Sequence, residues 1–251
     1  MFGFRKKVSI FGGQSKNQQM LSTMKDAVQK QRVAPFEANI RTGRLLSDLI
    51  FDSVEQEQHH ADDTALCVLG SMAGYSAAVA ASQAFANADP EQLLEADYTT
   101  KIAHDGTRRL SGTLVNDALI SGPKAFWRLL DAKARAMSGA SMPGLAEIIA
   151  YVDATVLTEE FGRPRMPGST RCLEAPSVLV DHLWPEFYPT LTSVDPDPQG
   201  WCASWGFAAQ EILEEVCQSM NCADAMRIIM ECAIPMSRRD PDGRVPSKAA
   251  A

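Results

Sequence analysis

The fold is decided by residues 64–88, which read TALCVLGSMAGYSAAVAASQAFANA and contain no charged side chain. The segment is longer than the roughly 20 residues that cross a bilayer as a helix. Its composition favours a different interpretation, because alanine dominates and polar residues interrupt the apolar ones. Its flanks are acidic, with Asp62 and Asp63 before it and Asp89 and Glu91 after it, and they supply no basic anchor. We therefore expect a buried core helix and no membrane span.

The smallest residues of this segment recur at helical spacing. Gly70 and Gly74 lie four residues apart, and so do Ala73, Ala77 and Ala81. Residues at this spacing share one face of a helix. A face with so little side-chain volume lets the backbone of another helix come close. The pattern predicts that this helix packs tightly against a second one.

Helical periodicity continues through most of the remaining chain. In residues 36–60, for example, Leu46, Ile50 and Val54 form the apolar stripe of an amphipathic helix. Further predicted helices include residues 17–33, 113–120, 143–160 and 177–193, the last interrupted near Pro185 and Pro189. The sequence therefore predicts a mainly α fold, a bundle-like array of about eight helices.

Residues 98–112 depart from the helical pattern. Two short β-compatible runs flank the tripeptide His104-Asp105-Gly106. An Asp-Gly pair between such runs is a hairpin signal, because glycine readily adopts the positive φ that tight turns require. We predict one small β-hairpin in this region.

The formal net charge of −7 is unevenly distributed along the chain. Residues 1–32 are strongly basic and contain Asp26 as their one acidic residue, so the rest of the chain is more acidic than the total suggests. We predict a basic, flexible N-terminal arm over residues 1–16, a single α-rich domain over 17–236 and a flexible tail over 237–251. A sub-division of the domain at the loop 162–176 stays open.

Six cysteines are present in a chain long enough to fold without disulfides. They are Cys67, Cys172, Cys202, Cys217, Cys222 and Cys232. Because no export signal is recognisable before them, we expect reduced thiols in a core and a cytoplasmic location.

The end of the helix predicted over residues 36–60 carries a possible metal site. Asp52, Glu55, His59 and Asp62 lie at positions i, i+3, i+7 and i+10, which places carboxylates and one imidazole along a stripe. Oxygen and imidazole ligands suit zinc, manganese or iron. The stripe lies away from the apolar face, so a solvated helix surface is the alternative.

The dipeptide His104-Asp105, with His59 upstream and Asp153 downstream, resembles the sequence skeleton of the HD phosphohydrolases. Members of that family are helical enzymes in which such residues bind metal. The resemblance covers the dipeptide and its spacing alone. It implies a metal-dependent hydrolase that uses the region around His59 and His60 and a divalent cation as cofactor.

The predicted loop 162–176 is long for a compact domain, and such loops are often functional. It contains Arg163, Arg165 and Arg171. Guanidinium groups bind phosphates and carboxylates through paired hydrogen bonds. The loop is therefore a candidate site for an anion or a partner.

No complete catalytic set emerges from the sequence, and no Gly-x-Gly-x-x-Gly or Gly-Lys-Ser/Thr phosphate loop occurs. Trp201 and Trp205 are four residues apart and are expected in the core. The leading hypothesis is a soluble cytoplasmic interaction, scaffold or regulatory protein that has no catalytic activity or cofactor and binds a protein partner or itself. The alternatives are the metal-dependent hydrolase and, ranked last, nucleic-acid binding through the basic arm.

Overall fold

The structure of the protein is a computed structural model that describes residues 36–54, 61–89, 98–103, 106–138, 143–168 and 174–241. The chain divides into two compact units, Met1–Glu37 and Ala38–Ala251. In the first unit only Phe36 and Glu37 are described, so the predicted arm over 1–16 and the predicted helix over 17–33 lie outside the described residues. The architecture of the second unit follows.

The second unit is mainly helical, with one two-stranded antiparallel sheet. In chain order the described elements are α1 (Glu37–Val54), α2 (Ala61–Asn87), β1 (Tyr98–Ile102), β2 (Arg108–Gly112), α3 (Thr113–Asn116), α4 (Phe126–Ser138), α5 (Leu145–Thr155), α6 (Pro176–Val194), α7 (Trp201–Val216) and α8 (Cys222–Ser237). A π-helical turn, Asp117–Ser121, follows α3, and a 3₁₀ turn, Pro198–Gly200, precedes α7. The predicted fold class is confirmed. Seven of the described helices are long and α3 is a single turn, so the expected count was slightly too high.

α2 is the central helix and contacts α6, α7 and α8. It is the one helix of the described chain whose length and composition would allow it to cross a membrane. In this fold 89% of its most apolar window is buried. The charge-free stretch is therefore surrounded by the protein's own helices.

The closest helix contact joins α2 to α8. A Cβ atom added to Gly70 would overlap the carbonyl oxygen of Ile229, and one added to Gly74 would overlap the carbonyl oxygen of Ala233. The backbone of α8 thus lies directly against the glycine face of α2. The predicted tight helix contact is confirmed.

Two tryptophans of α7 fill the core beside α2. Trp201 and Trp205 are both buried, as predicted. The indole N–H of Trp205 donates to the hydroxyl of Ser76 on α2 at 2.7 Å, and that of Trp201 donates to the carbonyl oxygen of Asp195 at 2.7 Å. Each large ring is therefore buried without an unpaired polar group, which is what makes its burial favourable.

α6 continues without a break through Pro185 and Pro189, which corrects the predicted interruption. A proline removes one backbone hydrogen bond inside a helix. Both prolines and Asp181, whose carbonyl loses its partner to Pro185, are exposed, so the carbonyls left without a helix donor are accessible to solvent.

Two other predicted helices end differently, and the predicted end of a third lies outside the described residues. The segment predicted as 113–120 is α3 followed by the π-helical turn, and α1 is described as far as Val54, with residues 55–60 outside the description. The segment predicted as 143–160 ends at Thr155, because the N–H of Thr158 closes a tight turn onto the Thr155 carbonyl at 2.8 Å.

The hairpin lies where the sequence predicted it. β1 and β2 pair from Tyr98 with Gly112 to Ile102 with Arg108. Gly106 has φ of 77°, the positive value that favours glycine in the turn. The prediction of a hairpin over 98–112 is confirmed.

The chain after α8 adds to this hairpin. Arg239 forms an isolated β-bridge with Arg109, and the N–H of Leu110 donates to the carbonyl of Arg238 at 2.6 Å. Arg108 also pairs with Asp240 at 2.8 Å. Residues 238–240 therefore contact the hairpin, and the flexible tail predicted over 237–251 stays a prediction.

The α2–α8 contact predicts that Gly74→Ala destabilises the protein by about 2 kcal/mol, because the new methyl group forces the two backbones apart. Helix propensity alone predicts that the same change stabilises the protein by up to about 1 kcal/mol. The sign of the change in the free energy of unfolding therefore distinguishes the steric effect from the propensity effect. The free energy of unfolding in urea measures it. Gly144→Ala is the control for a substitution without a steric contact, since no atom beyond its chain neighbours lies within 4 Å of its added Cβ; as the N-cap of α5 it should lose less than about 1 kcal/mol. A Gly74→Ala protein as stable as the wild type would contradict the contact.

Candidate functional site

A cleft with a volume of about 260 Å³ lies where the hairpin meets α3, α5 and α8. Three isoleucines from three different elements form its apolar surface: Ile120 of the π-helical turn, Ile149 of α5 and Ile234 of α8. Ile234 is buried and the other two are half-buried. The volume falls just below the roughly 300–1,000 Å³ of most small-molecule sites.

The hairpin supplies a polar wall of this cleft. Thr99 and Lys101 alternate along β1 and therefore share one face, and Ser111 is paired with Thr99 across the hairpin. Lys101 is exposed and forms no ion pair within the described residues. The wall thus presents one ammonium group and two hydroxyl groups.

The part of the lining contributed by α5 and the end of α8 contains an ion pair. Arg238, at the end of α8, pairs with Asp153 of α5 at 2.5 Å. The Arg238 side chain is 11% exposed and that of Asp153 is 48% exposed. Ser237 lies beside them and donates its hydroxyl proton to the carbonyl of Ile234 at 2.9 Å, which leaves the oxygen able to accept. The charge of Arg238 is therefore already compensated within the cleft.

The π-helical turn shapes the third side of the cleft. It follows Asn116 directly and is closed by the N–H of Gly122 donating to the carbonyl of Asp117 at 2.8 Å. Asn116 and Ile120 both line the cleft. π-helical turns are rare and occur frequently at functional sites.

Two arginine pairs that sequence reasoning missed hold the cleft together. Arg108 and Arg109 lie on β2, and Arg238 and Arg239 follow at the end of α8. Arg239 reaches Asp181 of α6 at 2.8 Å. The sequence feature that could have indicated this cluster is the repeated Arg-Arg dipeptide, once in a predicted strand and once after a predicted helix. Together these side chains tie the hairpin, α5 and α6 to one point.

A buried carboxylate anchors the predicted arginine loop to α8. Glu231 is 1% exposed and accepts hydrogen bonds from the backbone N–H and the guanidinium of Arg165, both at 2.6 Å. The Arg165 guanidinium also lies 4.3 Å from the ring centre of Tyr151 and 3.6 Å from a carboxylate oxygen of Glu147. Arg165 therefore holds the loop in place.

These contacts change the acidity of the groups involved. Burial alone lowers the pKa of Arg165, but the hydrogen bond and negative charge of Glu231 outweigh it and raise that pKa above its usual value. Burial raises the pKa of Tyr151, and the charge of Glu231 adds to the effect. The guanidinium stays charged and the phenol stays neutral near neutral pH.

The other arginines predicted for an anion site are placed differently. Arg163 lies 3.8 Å from a carboxylate oxygen of Glu160, with both side chains more than half exposed. Arg171 lies outside the described residues. The anion or partner role of this loop stays a prediction.

The predicted metal ligands are only partly described. Asp52 is exposed on α1, and Asp62, at the start of α2, accepts a hydrogen bond from Ser219 at 2.7 Å. Glu55 and His59 lie outside the description. Among described residues no three histidine, cysteine or acidic side chains come together as a metal site would require.

The residues that resemble the HD phosphohydrolases are also divided. Asp153 lies in the cleft, paired with Arg238. His59, His60, His104 and Asp105 lie outside the described residues. The hydrolase hypothesis stays a prediction.

The expectation of six reduced thiols is wrong for two cysteines. Cys217 and Cys222 form a disulfide across the turn between α7 and α8, with Cα atoms 5.2 Å apart. Their positions on either side of a short turn allow this geometry, whereas the expectation of reduced thiols rested on chain length and compartment. Cys67, Cys202 and Cys232 are buried free cysteines, as expected of core residues. Cys172 lies outside the described residues.

No protein-family model, curated protein or solved structure matches this chain. The candidate site is therefore defined by its own geometry.

The Glu231 anchor predicts that Glu231→Gln lowers the free energy of unfolding by about 2 kcal/mol. The substitution removes the buried counter-charge of a half-buried guanidinium and leaves it the exposed Glu147 at 3.6 Å, and breaking buried pairs is costly. Glu214→Gln is the matched control, because Glu214 pairs with Lys133 at the surface and should lose less than about 1 kcal/mol. Urea unfolding of both variants measures the difference. Equal losses would show that Glu231 is no more than a surface partner.

The cysteine geometry predicts a specific pattern of thiol labelling. In native protein, iodoacetamide at pH 8 should label neither Cys217 nor Cys222 before reduction, and should label the partly exposed Cys217 after it. Cys202 should stay unlabelled in both cases, because burial raises its pKa to about 12. Peptide mass spectrometry reads out each site. Labelling of Cys217 in unreduced protein would contradict the disulfide.

Proposed function

We propose that this protein is a non-catalytic regulatory protein that binds a small ligand in the cleft between the hairpin, α3, α5 and α8. The observation that carries the proposal is Lys101, a charge without an ion-pair partner in the described chain, at the edge of a mainly polar cleft that also contains three isoleucines. Binding sites for small molecules typically combine an apolar lining with a few convergent polar groups.

The chemistry of the lining supports binding more than reaction. The acid in the lining, Asp153, is engaged with Arg238, and a nucleophilic hydroxyl, Ser237, is bonded to its own helix. Activation of a hydroxyl requires an adjacent general base free to take its proton. The groups that remain available, such as Lys101 and Thr99, are suited to holding an anion.

We propose further that the protein is soluble and that α2 is its core helix, not a membrane span. Support comes from the burial of its apolar window and from the α8 backbone seated on Gly70 and Gly74. The expected cytoplasmic location rested on reduced cysteines, and the Cys217–Cys222 disulfide removes part of that support, because disulfides are rare in the cytosol. Binding of a small ligand in the cleft leaves the rest of the surface available to a partner protein or a second copy of the chain.

A fragment screen of the full chain tests the proposal. We expect at least one class of small molecules to shift the NMR signals of the Ile120, Ile149 and Ile234 methyl groups together, because all three face the same cleft. Thr99→Trp should abolish these shifts by filling the cleft, since Thr99 is an exposed strand residue at which an aromatic side chain is well tolerated.

Thr107→Trp is the control for this experiment. Thr107 is exposed on the same hairpin but does not line the cleft. The proposal is contradicted if no fragment moves the three methyl signals, or if Thr99→Trp retains every shift seen in the wild type.

A further inference from the structure

We infer that the chain forms a homodimer in which the exposed face of α1 packs antiparallel against the same face of a second copy. This α1 face lies on the side of the helix away from its buried stripe, and it consists of Arg41, Arg44, Leu45, Asp48, Leu49 and Asp52. None of these residues lines the cleft, so the inference is independent of the proposed ligand binding.

The buried side of α1 fixes the helix on the rest of the protein. A Cβ atom added to Gly43 would lie 2.6 Å from the Cβ atom of Phe207, so α1 lies directly against α7. The side-chain amide of Asn39 donates to the carbonyl of Gly200 at 3.1 Å and ties the start of α1 to the start of α7. The orientation of the α1 face is therefore set by the fold, and a partner meets a preformed surface.

Two leucines form the apolar part of the α1 face. Leu45 is 51% exposed and Leu49 is 36% exposed. They lie one helical turn apart, and no other exposed large apolar residues of the described chain have that spacing. Contiguous apolar side chains on a surface indicate a contact site, whereas single ones are ordinary. The leucines alone do not specify which partner covers them.

The charges of the α1 face specify the partner. Arg41 and Arg44 lie toward the N-terminal end of the face, and Asp48 and Asp52 lie toward its C-terminal end. Neither Arg41 nor the two aspartates form an ion pair within the described residues. Arg44 lies 3.5 Å from Glu211 at the exposed surface, a weak contact. A face with one basic end and one acidic end is complementary to itself when two copies run antiparallel.

A single register brings the charges and the leucines together. When Arg41 lies level with Asp52 of the second copy, Leu45 and Leu49 of the two copies are within about 1.5 Å of being level along the helix axes. The remaining arginine and aspartate fit the same register equally well. A two-fold axis repeats each contact, so an ion pair lies at either end of the leucine cluster.

Sedimentation equilibrium of the full chain tests the inference. The interface is small, so we expect a dimer with a Kd on the order of 100 μM, measured between about 10 μM and about 1 mM. Leu45→Arg should weaken dimerisation about tenfold or more, because it places an unpaired charge at the centre of the contact. Leu157→Arg is the matched control: Leu157 is 66% exposed outside α1, and this variant should dimerise like the wild type.

Exchange of charges tests the register. Arg41→Asp brings two aspartates together at both ends of the dimer, and Asp52→Arg brings two arginines together there. Each variant alone should dimerise about tenfold more weakly than the wild type or worse. An equimolar mixture should recover dimers at wild-type concentrations, because a heterodimer pairs an aspartate with an arginine at both ends. Arg128→Asp is the control, since Arg128 is exposed on α4 and forms no ion pair in the described chain.

Three results would overturn the inference. The first is a chain that stays monomeric over this concentration range, which would leave the α1 face to a different partner. The second is equal association of Leu45→Arg and Leu157→Arg, which would place the contact elsewhere. The third is a mixture of Arg41→Asp and Asp52→Arg that is no more dimeric than either variant alone. The isoleucine methyl signals test the proposed function separately, because they report on the cleft.

Discussion

The backbone contact between α2 and α8 at Gly70 and Gly74 is the constraint on which the rest of the structure depends. Because neither glycine has a side chain, the carbonyl oxygens of Ile229 and Ala233 occupy the space where Cβ atoms would stand. This contact fixes both the distance between the two helices and the position of α8 along α2. No other residue type at these two positions preserves that distance, since every other one adds at least a methyl group.

The cleft follows from this placement. Ile234 directly follows Ala233 on α8, and Ser237 and Arg238 come one turn later, so the seating of α8 on α2 sets where the floor and one wall of the cleft lie. Pairing of Leu110 with the Arg238 carbonyl then brings the hairpin to the same helix end. Arg238 and Arg239 form ion pairs that connect this helix end to α5 and α6, and the buried Glu231 holds the neighbouring loop.

Local features of the fold could be predicted from the sequence, and long-range ones could not. The glycine face of α2 and the Asp-Gly turn of the hairpin are encoded within a few residues, so their periodicity and turn chemistry were sufficient. The Glu231–Arg165 pair joins residues 66 positions apart, and no local pattern reveals which acid is buried. The same holds for the cleft, whose lining comes from six elements. The continuous α6 shows a further limit of sequence-based prediction. Its prolines are tolerated because Pro185 and Pro189 are exposed, and the sequence does not reveal that exposure.

Native-state hydrogen exchange of two backbone amides tests the central claim most directly. If the α2–α8 contact fixes the cleft, the N–H of Leu110, bonded to Arg238 at the end of α8, and that of Ala233, at the glycine contact, should exchange with the same free energy of opening. That free energy should equal the global free energy of unfolding. Exchange of Leu110 through a local opening, with Ala233 still protected, would contradict the account, because the hairpin would then move independently of the helix contact.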